Sequence, residues 1–170
     1  MLLYLRDRKY KDYKPTFTGH SLGGALATLA AFRTVSEKWA KSEEVLVYTF
    51  GQPRVGSYSF ATAYNHLVPN SYRVVNAGWD LIPHIPPCRL DTFFWWHPFT
   101  LLPLPCYGPY YHTLHEVWYR NGWKPGDYTY CEWGEQRECS RGYGGFNPIV
   151  LDSYDISKHH EHMMGRMVGG

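Results

Sequence analysis

The sequence predicts an α/β fold built on a mostly parallel sheet with helices on both faces. Three observations carry this. Short β-rich runs around residues 14–18, 45–50 and 72–76 alternate with two stretches of helical period, 21–40 and 57–67. Each strand-like run ends in a Gly- or Pro-marked turn at Gly19, Gly51-Gln52-Pro53 or Gly78-Trp79-Asp80. The spacing between strands suits right-handed βαβ crossovers rather than hairpins.

The elements follow in order. Leu2, Leu3 and Leu5, followed by a charged run, read as the end of an amphipathic helix. Lys14 to Thr18 then form a short strand that runs straight into Gly19. From Ser21 onward Leu22, Ala25, Leu26, Leu29 and Ala30 recur at spacings of three and four, which predicts a helix to about Trp39 or Ala40. Residues 45–50 are a continuous apolar run suited to a buried parallel strand. Ser57 to Leu67 reads as a second helix, and Tyr72 to Asn76 as the next strand. Beyond Pro83 the chain becomes Pro- and aromatic-rich loop. Leu114 to Tyr119 gives a further strand and residues 128–133 an edge strand, before a His- and Met-rich tail from Ser157.

At 170 residues the chain is one domain's worth of sequence, long enough to bury about 70% of its unfolded surface. Its 17 basic and 15 acidic residues are interspersed, for a net charge of +2, and no Lys/Arg stripe exists to bind nucleic acid. No segment is apolar for long enough to span a bilayer. Cys88, Cys106, Cys131 and Cys139 form an even set without the spacing of a zinc site. Two disulfides are expected, and Cys88–Cys106 with Cys131–Cys139 is preferred because each pair encloses a Pro- or Gly-containing loop. Bridges of that kind imply an extracellular or lumenal compartment. The N-terminal residues lack the apolar core and cleavage site of a signal peptide, which pulls the other way.

The chemistry centres on Gly19-His20-Ser21-Leu22-Gly23, placed between a strand pattern and a helix pattern. A nucleophilic serine must stand clear of the sheet, and a sharp strand-to-helix turn achieves this. The turn is crowded, so Gly19 and Gly23 are expected to be nearly side-chain-free. The amide of Leu22, at the helix N-terminus, would serve as an oxyanion donor. Such a serine needs an imidazole base, and the imidazole needs an orienting carboxylate. Asp80 fits the latter because it follows a strand at the carboxyl edge where Ser21 also sits; Asp91 is the weaker rival. His84, His97, His112, His115, His159, His160 and His162 all follow Asp80, and order alone does not choose among them. His112 and His115 could suggest a metal site with Glu116, but residues three apart on a strand face opposite ways, which favours a structural or capping role. The cluster of His159, His160, Glu161 and His162 could bind a metal or form a solvated tail.

Several separate stretches together resemble the class 3 lipases. Residues 18–27, Thr-Gly-His-Ser-Leu-Gly-Gly-Ala-Leu-Ala, match that family's nucleophile elbow; 48–56 resemble its next strand and loop; 74–87 resemble its aspartate block. The resemblance implies an α/β-hydrolase-like fold and a lipid or carboxylic ester hydrolase working through an acyl-enzyme, without a cofactor or metal. It implies the triad Ser21, Asp80 and His160, and an ester lipid, with its interface, as substrate. His112 resembles a non-catalytic family histidine. At the family's catalytic histidine, residues 157–165 place His160, with His159 where the family has aspartate and Met163-Met164 where it has aromatic residues; His162 is the alternative base. The same resemblance implies one partial domain over residues 1–170, with the first strands, the oxyanion loop and a helical lid falling upstream of Met1. A secreted parent whose signal and first half are absent would reconcile disulfide-type cysteines with the missing leader. The other outcome is a catalytically impaired, shortened form, and a third a His-cluster metal site.

Overall fold

The computed structural model describes residues 8–10, 12–76, 80–87, 109–113, 115–142 and 160, together with the short strand segments 162–163 and 166–167. The expected opening helix, the Cys88–Cys106 pair, Asp91, His97, His159 and the aromatic stretch 93–108 lie outside the described residues.

Five strands form one sheet in the order β1 (Thr16–His20), β2 (Leu46–Phe50), β3 (Ser71–Asn76), β4 (Glu116–Tyr119) and β5 (Thr129–Cys131). The first four are mutually parallel and β5 is antiparallel at the edge. A separate two-stranded pair joins β6 (His162–Met163) to β7 (Arg166–Met167). Helix α1 (Leu22–Ser36) connects β1 to β2, and α2 (Tyr58–Leu67) connects β2 to β3. Ser57 caps α2 by accepting from the Phe60 amide at 3.2 Å.

Among the described residues both helices lie on the same face. Ala31 and Val35 of α1 and Tyr64 of α2 share one buried cluster with Val45 and Val47. The reason is topological: the chain steps from β1 to β2 to β3 in a constant direction, and right-handed crossovers then return on one side only. The opposite face carries a row of rings, Tyr48 on Tyr72, Tyr72 on His115, and His115 on Tyr130, at centroid separations of 5.3, 5.7 and 5.6 Å.

The sequence reading differs from α1 in two respects. The periodic leucines that identify the helix face solvent, with Leu22 68% and Leu26 59% exposed, while Gly24, Ala25, Ala27, Thr28 and Ala31 are buried. Small residues line the buried side because the helix lies close on β1 and β2. The helix also ends earlier than expected, at Ser36. Lys38 adopts φ 57°, and the Lys38 and Trp39 amides donate to Val35 O and Thr34 O, both at 2.9 Å. This is a Schellman closure with lysine where glycine is usual.

Candidate active site

The strand-to-helix turn after β1 holds Ser21 at φ 55° and ψ −129°, a strained backbone for a residue with a side chain. The Ser21 amide donates to Phe50 O at 2.9 Å, which ties the turn to the end of β2. Ser21 occupies the N-cap of α1, yet its side chain makes no cap hydrogen bond, so the hydroxyl is not consumed in finishing the helix. The Leu22 amide, first in α1, is one of the N–H groups that no helical carbonyl can reach.

Of the two glycines expected to be obligatory, only Gly19 is. A Cβ there would lie 2.2 Å from Gly23 O and 2.3 Å from Gly23 C, inside the helix backbone. At Gly23 a Cβ would meet nothing within 4 Å among the described residues. The second tight position is Gly24, whose Cβ would stand 3.1 Å from Gln52 Cβ and 3.2 Å from Thr49 Cβ. The crowding sits where the helix crosses the strands, and Gly23 points away from that contact.

Asp80 follows β3 and is fully buried. Its Oδ1 accepts the Ile82 amide at 3.0 Å, and the two carboxylate oxygens stand 3.1 and 3.0 Å from His160 Nδ1. The structure thus joins Asp80 to His160, while the side chain of His162, on β6, lies outside the description. A carboxylate only accepts, so His160 carries a proton on Nδ1. Its other nitrogen is Nε2. That Nε2 is buried and has no hydrogen-bond partner among the described residues, so no bond to Ser21 Oγ is formed in this state. Such contacts often tighten only when substrate binds.

Sequence reasoning did not single out the groups that hold the Asp80 segment. Arg54 pairs with Glu135 through two bonds of 2.8 and 3.0 Å, with both side chains almost wholly buried. The same guanidinium donates to His84 O and, at 2.9 Å, to Pro86 O; the Arg54 amide donates to Ile85 O at 2.9 Å. His112 donates from Nε2 to Pro83 O at 2.6 Å, which gives it the structural role expected of it. Burial, aided by Arg73 and Arg54, holds the His112 imidazole well below its ordinary value. Burial and Arg54 likewise lower His84 to about 4. Arg73 in mid-β3 is paired with Glu116 at 3.1 Å and donates to Thr113 O at 3.0 Å.

The bridge Cys131–Cys139 is present and buried beside Val75 and Trp118. Among the described residues no group of three or more His, Cys, Asp or Glu is arranged to hold a metal ion, and no helix is long and apolar enough to cross a membrane.

Comparison with known proteins places these features in context. The family described as lipase (class 3) matches residues 4–90, just over half of the chain. A lipase of Caenorhabditis elegans is 42% identical over 124 residues, which cover 70% of this chain and 35% of the relative. A secreted mono- and diacylglycerol lipase of Fusarium solani is 35% identical over 126 residues, covering 72% of this chain and 31% of the relative. The crystal structure of a lipase from Rhizopus microsporus var. chinensis superimposes with a TM-score of 0.69 at 30% identity, over 94% of this chain and 46% of that one. A triacylglycerol lipase whose catalytic centre is formed by a serine protease triad gives 0.68 at 29% identity, over 95% and 51%. The chain therefore spans about a third of these two curated relatives and about half of the solved structures.

Proposed function

The chain belongs to the class 3 lipase family, and from that premise we propose that it is the part of a lipid ester hydrolase that carries the catalytic triad Ser21, Asp80 and His160. The observation that carries the reading is the Asp80–His160 pair, its carboxylate fully buried, with Nδ1 engaged by the carboxylate and Nε2 without a partner among the described residues. In this reading Ser21 Oγ attacks the ester carbonyl as His160 Nε2 takes its proton. The imidazolium that forms is stabilised by Asp80, which stays ionised. The Leu22 amide donates to the oxyanion of the tetrahedral adduct, helped by the positive end of α1. Collapse breaks the bond to the alcohol, which leaves with the proton from Nε2. Water, deprotonated by the same imidazole, then cleaves the acyl-enzyme and returns Ser21.

The substrate class follows from the relatives, one named for mono- and diacylglycerols and one for triacylglycerol. We place the protein outside the cell, on the strength of the Cys131–Cys139 bridge and the secreted relative. A fluorophosphonate probe tests the assignment. Labelling is expected in the unmodified chain, absent in Ser21→Ala, and slowed by about 10⁴ in Asp80→Asn, which leaves the wrong imidazole tautomer. Labelling that persists in Ser21→Ala would overturn it.

A further inference from the structure

His20 precedes Ser21 and ends β1, and no role for it follows from the triad. Side chains alternate along the strand: Phe17 joins the core beneath the helices and Gly19 meets α1, so His20 projects to the other face with Thr16 and Thr18. There it makes two contacts with one residue. His20 Nε2 lies 2.8 Å from the backbone carbonyl of His160, and the two imidazole rings stand 4.4 Å apart with their planes 33° from parallel. A carbonyl oxygen only accepts, so His20 carries its proton on Nε2.

We infer that His20 is a positioning residue that sets the base His160 against the nucleophile Ser21, an inference that rests on the triad reading above. Asp80 holds the His160 ring at Nδ1 from beyond the end of β3, two strands away from β1 in the sheet. That bond leaves the ring free to rotate about its line and the peptide free to shift. His20 removes both freedoms: the donated hydrogen bond fixes the His160 peptide, and the close, tilted ring contact fixes the plane of the imidazole. Because His20 is bonded directly to Ser21, the base is located relative to the strained turn that presents the hydroxyl. The contact thus couples movement of the elbow to movement of the base.

Two substitutions separate the contributions. His20→Phe keeps an aromatic ring and loses the donor; His20→Gln keeps a donor at nearly the Nε2 position and loses the ring. In the full chain, the second-order rate of fluorophosphonate labelling is expected to fall roughly 10- to 100-fold in His20→Phe, the scale of a misplaced catalytic group. His20→Gln is expected to recover part of it. With a short p-nitrophenyl ester the loss falls on kcat while KM is unchanged. The downfield proton resonance of the His160 Nδ1–H to Asp80, followed by NMR without substrate, broadens in His20→Phe and sharpens again in His20→Gln. Both variants labelling at the unmodified rate, while Ser21→Ala abolishes labelling, would overturn the role of His20 and leave the triad standing. Labelling that survives Ser21→Ala would remove the triad and the inference with it. A lowered melting temperature with unchanged labelling and an unchanged resonance would reduce His20 to a structural contact and likewise overturn it.

Discussion

Gly19 and Gly23 look alike in the motif and differ in what they do. A methyl group on Gly19 would enter the helix backbone at 2.2 Å, and backbone cannot rotate aside as a side chain can. Gly19→Ala is therefore expected to cost about 3 kcal/mol and to abolish labelling of Ser21, since the turn must open to admit the methyl. Gly23→Ala places its methyl in open space at the second position of a helix, where alanine is the better former. It is expected to be neutral or to stabilise by up to about 1 kcal/mol, with labelling retained. Urea unfolding of the two variants checks this, and equal losses would contradict the packing seen at the turn. The motif's spacing was legible in the sequence; which glycine is indispensable was not. That depends on where the axis of α1 crosses β1, a distance between elements that a five-residue pattern does not encode.

At the scale of elements, helix and strand types were legible because period and turn residues are local properties. The misreadings occur where a local signal is missing. Lys38 gives no glycine-like mark of a helix end, yet it takes the left-handed conformation that closes α1. Lys38→Gly is expected to stabilise the protein by about 1 kcal/mol, the cost of holding a side chain at positive φ, as read by the shift in denaturant midpoint. The segment 80–87 shows the same limitation on a longer range. Arg54, 81 residues from Glu135 in sequence, pairs with it and holds the carbonyls that follow Asp80. Nothing local to Arg54 announces that partner. Arg54→Met removes the two charge-assisted bonds that Arg54 makes to buried Glu135 and is expected to cost about 3–5 kcal/mol. Arg54→Met with Glu135→Leu should regain much of that stability, because the buried carboxylate is removed together with its lost partner. If the segment 80–87 loses its order without the guanidinium, the double variant regains stability but labels Ser21 slowly. Comparing its melting temperature with its labelling rate separates holding the fold from positioning Asp80.

At the scale of the whole molecule, the polar interior beneath β3 and β4 makes stability depend on pH in a definite direction. His84 lies among Arg54, Arg73 and Glu135, and its Nε2 is buried without a partner among the described residues. The two cations and the burial outweigh the carboxylate, so the folded protein holds His84 neutral down to about pH 4, whereas the unfolded chain protonates it near 6.5. Between those values the unfolded state binds more protons, and stability falls as pH falls. Above about 6.5 the group contributes no slope, and below about 4 both states are protonated and the loss is complete. The displacement from 6.5 to about 4 corresponds to about 3 kcal/mol. His112, held well below its ordinary value by burial and the same two arginines, adds to the loss in the same direction. A structural role for His112 was legible in the sequence but the lowered titration of His84 and His112 was not, since that is set by neighbours brought together from β3, the 80–87 segment and the residues around Glu135. Urea unfolding at pH 7.5, 6, 5 and 4.5 is expected to show stability flat at the top of this range and declining below about 6.5. In His84→Gln, which cannot take up a proton, the decline between pH 6 and 4.5 should lessen by close to one proton's worth of slope. An undiminished slope in that variant would mean that His84 is protonated in the folded protein and that the Arg54–Glu135 cluster accommodates its charge.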